Sequence, residues 1–217
     1  MTHPAPSKTQ QIIDITLRMT PGMPVWPGDT PFTMEQTMTI SDDCPVNVSK
    51  LTLSPHTGTH MDSAFHYDPN GCDTADMPLD AYIGPALVVD AVGCGPLVMP
   101  DHIMADLPDH VERVLIKTTD TCDEGRWPEG FTALHHETVT LLASRGVRCI
   151  GIDTPSMDPQ NSKDMPAHQT ICKHGIAILE SLKLVDVTPD MYELIALPLK
   201  IAGCDGSPVR AILRPLD

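Results

Sequence analysis

The sequence predicts an α/β fold with a mixed sheet. Runs with β-strand character outnumber the helical patterns, and the helical patterns lie between them along the chain. The length of 217 residues, 41% of them hydrophobic, is enough for one sizeable core. We therefore expect a single domain over residues 11–217. Residues 1–10 are polar, without a hydrophobic signal region, and are expected to form a disordered lead-in.

The predicted strands are short runs rich in β-branched and apolar residues, separated by turns that contain proline, glycine or aspartate. Some alternate apolar with polar residues, as half-buried strands do, and others are continuously apolar, as buried strands are. In chain order they cover residues 11–17, 32–40, 47–53, 86–92, 113–119, 147–152, 192–201 and 208–213.

Two segments favour helix. Residues 133–145 have recurring leucines, with Thr132 as an N-cap and Gly146 as a stop. A second, short helix is expected around His168, because Pro166 just before it suits the first turn of a helix.

Charge and cysteine usage exclude several classes of function. The net charge of -15 argues against nucleic acid or an anionic membrane as a partner, because both select basic surfaces. No apolar run approaches the ~20 residues of a membrane span. The seven cysteines are widely spaced and form no Cys-x-x-Cys pair, unlike a disulfide framework or a structural zinc site. We expect reduced thiols in a cytoplasmic protein whose partner is a small-molecule substrate.

Residues 54–66 concentrate metal ligands. The spacing His-x3-His-x-Asp-x3-His is formed by His56, His60, Asp62 and His66. Imidazole nitrogen and carboxylate oxygen are the usual ligands of Zn²⁺ and are accepted by Mn²⁺ or Fe²⁺. A straight strand would spread these side chains over roughly 33 Å, so the chain must bend, and Gly58 permits a bend. The segment therefore predicts a metal site, and by itself it allows a single ion with four ligands.

Two other residues are candidates because of their surroundings. Glu180 follows the apolar residues 176–179, where a carboxylate is costly unless it is paired or binds a metal. An exposed glutamate at a strand end is the alternative. Trp26 lies in a loop rich in proline and glycine, where it either fills a gap in the core or forms a pocket wall.

The motif His-x-Gly-Thr-His-x-Asp-x-x-x-His, at residues 56–66, resembles the signature of the cyclase-like metal-dependent amide hydrolases. Further stretches along nearly the whole chain resemble one branch of that family, the bacterial kynurenine formamidases. They lie at residues 24–31, 44–48, 151–156, 177–180 and 193–199.

This resemblance implies a swivelling β/β/α domain with a mixed, strand-rich core that assembles as a homodimer. It also implies two Zn²⁺ per subunit, with Mn²⁺ as an alternative. The implied metal ligands are His56, His60, Asp62, His168 and Glu180. Asp62 and Glu180 would bridge the two ions, and His168 would bind only the second. His66 would be the proton donor and acceptor, and Trp26 would contact the substrate.

The implied enzyme is an arylformamidase, which hydrolyses the carbon–nitrogen bond of a linear amide. N-formyl-L-kynurenine would give L-kynurenine and formate in tryptophan degradation, by attack of a metal-activated water with His66 as proton shuttle. One position departs from the family pattern: Ala64 stands where a proline is usual, which relaxes the backbone ahead of His66.

Two alternatives stay open at this stage. Another cyclase-like amidohydrolase could act on a different aryl formamide or on a cyclic amide with the same machinery. A non-catalytic metal-binding protein is an alternative of another class, and it predicts a coordinatively closed site.

Overall fold

The computed structural model describes residues 11–216, so the expected lead-in over residues 1–10 lies outside the described part. The strands are β1 (Ile13–Asp14), β2 (Thr33–Met38), β3 (Val48–Thr52), β4 (His60–Asp62), β5 (Ile83–Asp90), β6 (Leu97–Val98), β7 (Arg113–Lys117), β8 (Ala133–Leu134), β9 (Cys149–Ile152), β10 (Ala177–Leu179), β11 (Met191–Ile195), β12 (Gly206–Pro208) and β13 (Ile212–Pro215). The α-helices are α1 (Pro100–Ile103), α2 (His136–Ser144) and α3 (Pro166–His174). Short 3-10 helices lie at Ala64–His66, Thr74–Asp76, Leu79–Ala81 and Met104–Asp106.

The centre of the fold is a seven-stranded mixed sheet in the order β1-β13-β11-β5-β7-β9-β10. Strands β5, β7, β9 and β10 run parallel to one another, while β11, β13 and β1 pair antiparallel. Every residue of β7, β9 and β10 is buried, as expected for parallel strands covered on both faces.

Each face of this sheet is covered by a different layer. Val114 and Ile116 point into a core that includes Ile171 of α3 and residues of α2, whereas Leu115 points into the opposite core. That second core includes Met61 of β4, which pairs antiparallel with β12 in a small separate sheet. The layers are therefore sheet, sheet and helix, and the predicted strand-rich α/β fold is confirmed.

Two further strand pairs lie within the described residues. Strands β2 and β3 form an antiparallel hairpin, and β6 and β8 form a short parallel pair. No helix within residues 11–216 is long and apolar enough to cross a membrane.

The predicted helix over residues 133–145 begins too early. Ala133 and Leu134 are extended in β8, because Leu134 is 1% exposed and its N–H donates to the Met157 carbonyl (2.8 Å). The N-cap of α2 is therefore His135, whose ring accepts from the backbone N–H of Glu137. Pairing with a distant segment overrides local helix propensity here.

The predicted strands at the chain ends are also wrong in their bounds. Residues 208–213 contain a change of sheet, because β12 pairs with β4 whereas β13 pairs with β11. Residues 192–201 are regular only to Ile195, and residues 11–17 are regular only at Ile13–Asp14. The central predicted strands agree with β5, β7 and β9, within a few residues.

Candidate metal centre

Two carboxylates lie between two imidazoles. Nε2 of His60 is 3.4 Å from Oδ1 of Asp62 and 3.4 Å from Oε2 of Glu180. Nε2 of His168 is 3.6 Å from Oδ2 of Asp62 and 3.4 Å from Oε1 of Glu180. Each carboxylate thus turns one oxygen toward His60 and the other toward His168.

The donor atoms fit metal coordination better than hydrogen bonding. Separations of 3.4 to 3.6 Å are too long for good hydrogen bonds. Ligand atoms about 2.0–2.1 Å from a tetrahedral Zn²⁺ lie roughly 3.3 Å from one another, which is close to these values. The four residues are also at most 3% exposed, and buried carboxylates need a compensating charge. The set therefore has the donor chemistry to hold a divalent metal ion, with His60, Asp62 and Glu180 close enough together to share one.

Three backbone features place His60, Asp62 and Glu180. Gly58, at φ +66°, makes the predicted bend, so His60 and Asp62 project from the same side of β4. The backbones of His60 and Glu180 exchange two hydrogen bonds (2.9 and 3.2 Å), which bring the end of β10 to β4. Glu180 follows the carboxyl end of a parallel strand, where ligands of α/β sheets commonly bind.

Backbone strain is concentrated beside these ligands. Within residues 11–216, the non-glycine residues with positive φ are Met165 (φ 44°) and Ser181 (φ 54°). Ser181 directly follows Glu180, and its conformation is held by Thr154 and Thr59, which bond its N–H and its carbonyl. Met165 is the N-cap of α3, the helix that carries His168. Such conformations cost about 1–3 kcal/mol each and tend to occur at functional sites.

The ring orientation of both imidazoles is fixed by their other nitrogen. Nδ1 of His60 lies 2.8 Å from the carbonyl oxygen of Gly58, and Nδ1 of His168 lies 2.7 Å from Oδ2 of Asp158. With Nδ1–H donating to these acceptors, Nε2 is left free to bind a metal.

Asp158 is a functional residue that the sequence analysis missed. It is 2% exposed, and its oxygens also accept from the backbone N–H groups of Ala167 and His168, both at 3.0 Å. Burial raises the pKa of Asp158, but the bonds from His168 and from the helix N-terminus outweigh it and keep that pKa below its usual value. No local signal marks Asp158 in the sequence, because it lies eight residues ahead of α3, whose N-cap is Met165.

Without metal, the same carboxylates change the protonation of the histidines. Burial opposes the charged form of His168, yet its hydrogen bond to Asp158 and the nearby carboxylates of Asp62 and Glu180 raise its pKa well above the usual value. Burial raises the pKa of Asp62, but the neighbouring imidazoles of His168 and His56 hold it well below its usual value. Without metal, the carboxylate of Asp62 is thus held ionised and the imidazole of His168 is held protonated.

His56 lies at the edge of this group, between two carboxylates. Its Nδ1 is 2.9 Å from Oδ1 of Asp62, and its Nε2 is 3.0 Å from Oδ2 of Asp205. Burial lowers the pKa of His56, but Asp62 and Asp205 outweigh it and raise the pKa to about 9. His56 must therefore lose a proton before it can bind a metal.

His66 lies on the rim of the same site. It ends the 3-10 helix Ala64–His66, and its Nδ1 is 3.4 Å from Oδ2 of Asp205. Its ring centroid is 4.1 Å from that of His56. The Ala64 carbonyl accepts from the N–H groups of Tyr67 and Asp68, and these bonds close the turn without the proline usual at position 64.

An open cavity of about 780 Å³ leads to the metal centre. All five predicted metal ligands line it together with His66 and Trp26, although His56 lies at the edge of the buried set. The ring of Trp26 packs edge-on against Trp127 (centroids 5.6 Å apart) and lies 6.4 Å from Phe131. Trp26 is thus a cavity wall rather than a core filler. The other two aromatic residues were not predicted, because nothing in their local sequence marks them.

The sequence matches the protein family described as "Putative cyclase" over residues 13–159. Two solved structures at 28% identity resemble the chain over most of its length. One is described as "Potential Metal-Dependent Hydrolase With Cyclase Activity", with a TM-score of 0.81 over 95% of this chain and 99% of that chain. The other is a "predicted metal-dependent hydrolase from Bacillus stearothermophilus", with a TM-score of 0.78 over 94% and 97%.

A third structure is isatin hydrolase A from Labrenzia aggregata bound to benzyl benzoate. It is 24% identical, with a TM-score of 0.80 over 94% of this chain and 93% of that chain. At this identity the likeness is one of fold.

Proposed function

The chain belongs to the Cyclase family, and from that starting point we propose that it is a metal-dependent arylformamidase. The substrate would be N-formyl-L-kynurenine, and the products would be L-kynurenine and formate. The observation that carries this proposal is the pair of carboxylates, Asp62 and Glu180, shared between His60 and His168 at the base of an aromatic-walled cavity.

We propose two Zn²⁺ per subunit, or Mn²⁺ in their place, held by His56, His60, Asp62, His168 and Glu180. Bound there, the ions would supply a water of lowered pKa and would polarise the formyl carbonyl. The edge position of His56 suits a ligand that binds once its proton has left.

His66 is proposed as the proton shuttle. When its Nδ1–H donates to Asp205, its Nε2 is left to take a proton from the attacking water and return it to the aryl nitrogen. Its side chain is 32% exposed and lines the cavity, so it can meet a substrate without leaving its turn. A closed, non-catalytic metal site would not need a histidine at this position.

The aryl ring of the substrate would pack against Trp26, with Trp127 and Phe131 completing the wall. Offset or edge-to-face contacts of this kind contribute about 0.5–1.5 kcal/mol each beyond area burial. This wall supports an aryl amide over an aliphatic one as the substrate.

A substrate panel tests the proposal. Purified zinc-loaded protein would be incubated with N-formylkynurenine, formanilide and isatin, the last representing a cyclic amide. We expect release of kynurenine and formate from the first compound at the highest kcat/KM. Opening of isatin with no kynurenine released would favour the alternative that the enzyme acts on a cyclic amide.

We further propose a homodimer. In the β2–β3 hairpin every strand residue is exposed, including Met34 (55%) and Leu51 (54%). An isolated hairpin is marginally stable in water, so a second copy of the chain that covers these apolar residues would stabilise it. Light scattering should give twice the monomer mass, and Leu51→Lys should shift it toward the monomer.

A cytoplasmic location is proposed from the thiols. All seven cysteines are free, including the exposed Cys72 and Cys122. Free exposed thiols persist in reducing compartments and are rare in secreted proteins. Fractionation of the native cells tests this proposal, and detection of the protein in the periplasm or the medium would contradict it.

A further inference from the structure

Few arginine or lysine side chains in the cavity could bind the carboxylate of a substrate. Among the described residues that line it, Arg126 and Lys183 are the only arginine and lysine, whereas acidic residues are numerous. The mechanism proposed above uses neither cation. An α-amino-acid end brings both a carboxylate and an ammonium group, so it requires a site of each sign.

Lys183 and Glu124 provide such a pair. Nζ of Lys183 donates to Oε1 of Glu124 at 2.7 Å, and both residues line the cavity. Their side chains are 36% and 28% exposed, so each is accessible while partly shielded from water. One of the three ammonium N–H groups of Lys183 is used in this bond, and within residues 11–216 the only hydrogen-bond contact of Oε2 of Glu124 is a long one with the N–H of Arg18 (3.4 Å).

The pair is within reach of the metal centre. Lys183 is three residues after Glu180, so their Cα atoms are separated by at most about 10–11 Å. The backbone between them is fixed, because Ser181 bonds to Thr154 and the N–H of Lys183 donates to the Ile15 carbonyl at 2.8 Å. In N-formylkynurenine the formyl carbon and the α-carboxylate are roughly 8 Å apart when extended, given bond lengths of about 1.3–1.5 Å.

We propose that the Lys183–Glu124 pair binds the α-amino-acid end of the substrate. Lys183 donates to the α-carboxylate, and Glu124 accepts from the α-ammonium group. This inference rests on the proposed function, since it assigns the part of N-formylkynurenine that the metal centre and the aromatic wall do not contact. The preformed pair presents both charges in fixed positions, which lowers the ordering cost of binding a zwitterion.

Two competing roles for these charged residues lead to different results on mutation. The pair could serve only to tie the loop that carries Glu124 to the strand end that carries Lys183. In that case its loss would affect all substrates alike. Arg126, which is exposed at the same cavity and forms no ion pair within residues 11–216, could bind the carboxylate instead.

The test compares two substrates that differ only at the amino-acid end. N-formylkynurenine would be compared with 2′-formamidoacetophenone, which keeps the aryl formamide and the ketone but has a methyl group instead of the aminopropionate. Each would be assayed with the zinc-loaded full-length wild type, Lys183→Gln, Lys183→Arg, Glu124→Gln and Arg126→Gln. Lys200→Gln is the matched control, because Lys200 is exposed and does not line the cavity.

We expect Lys183→Gln to lower kcat/KM for N-formylkynurenine by roughly 10- to 100-fold, the effect of losing one charge-assisted hydrogen bond. The same variant should change kcat/KM for the acetophenone by less than about threefold, and Lys183→Arg should keep most of the activity because the charge remains. Thermal unfolding of each variant checks folding. If Lys183→Gln is unstable, Glu124→Gln keeps the test decisive, because it removes the charge of the proposed acceptor of the α-ammonium group and should lower kcat/KM for N-formylkynurenine alone.

Three outcomes would overturn the inference while leaving the proposed function intact. Equal losses on both substrates would show an anchoring role for the pair. A selective loss in Arg126→Gln with none in Lys183→Gln would assign the carboxylate to Arg126. Wild-type protein that hydrolyses both substrates equally well would show that the amino-acid end is not bound. If the wild type hydrolyses neither compound, the proposed function itself fails, and this inference fails with it.

Discussion

The most informative single substitution is Asp158→Asn. Asp158 does not contact the proposed ions, but its carboxylate orients His168 through the 2.7 Å contact with Nδ1 and also accepts from two N–H groups of α3. Asparagine keeps the shape and one acceptor oxygen. It removes the charge and places an amide group where His168 needs an acceptor.

The expected magnitude follows from these three contacts. Replacing a carboxylate that orients a metal-binding histidine typically weakens metal binding 10- to 100-fold, or about 1.4–2.7 kcal/mol. Loss of a negative charge at a helix N-terminus adds about 0.3–1 kcal/mol of lost folding stability. Asp158→Asn should therefore weaken binding of the proposed metal at His168 more than it destabilises the fold.

Competition with a chromophoric zinc chelator would measure the affinity, and thermal unfolding of the chelated protein would measure stability. Asp164→Asn is the control, because Asp164 is exposed in the same loop and does not line the cavity. Unchanged zinc affinity in Asp158→Asn, with both metals retained, would refute the assignment of His168 as a ligand oriented by this carboxylate.

Further predictions concern the other site residues. His66→Ala should lower kcat by roughly 10²- to 10⁴-fold while elemental analysis finds the metal content unchanged; full activity would remove His66 from proton transfer. Glu180→Ala should lower the metal content below two per subunit, and a variant that still holds two ions would disprove the bridge. Because the pKa of His56 is about 9 without metal, its proton must leave as the metal binds, so zinc affinity should rise with pH up to about 9. A zinc affinity that does not change between pH 6.5 and 8.5 would contradict this. Trp26→Ala should raise KM for aryl formamides by roughly 2- to 10-fold with little effect on metal content, and an unchanged KM would exclude Trp26 from the substrate site.

The parts of the fold that sequence predicts well are those determined by local composition. Strands β5, β7 and β9 lie in short apolar runs, and the burial of β7 and β9 on both faces follows from that pattern. The errors occur where a distant partner decides the conformation. Leu134 is extended because it pairs with β6 beside Met157, and residues 206–215 divide between two sheets.

The same distinction applies to the site. His56, His60 and Asp62 lie close together in the sequence, so their spacing can be recognised directly. The bend at Gly58 follows because these side chains can bind the same ion only if the chain turns there. Asp205 could not be found in this way, since it reaches His56 only because β12 pairs with β4. Asp205 lies in a turn between two strands, and aspartate is so common in turns that the local sequence does not distinguish this one.

Metal-dependent release of kynurenine is the measurement that tests the account most directly. The protein would be stripped with a chelator, dialysed, and assayed on N-formylkynurenine before and after addition of Zn²⁺ or Mn²⁺. Kynurenine and formate should appear in equal amounts only after metal is restored, and activity should saturate near two ions per subunit. Equal activity in the stripped protein, or no kynurenine at any metal concentration, would contradict the account.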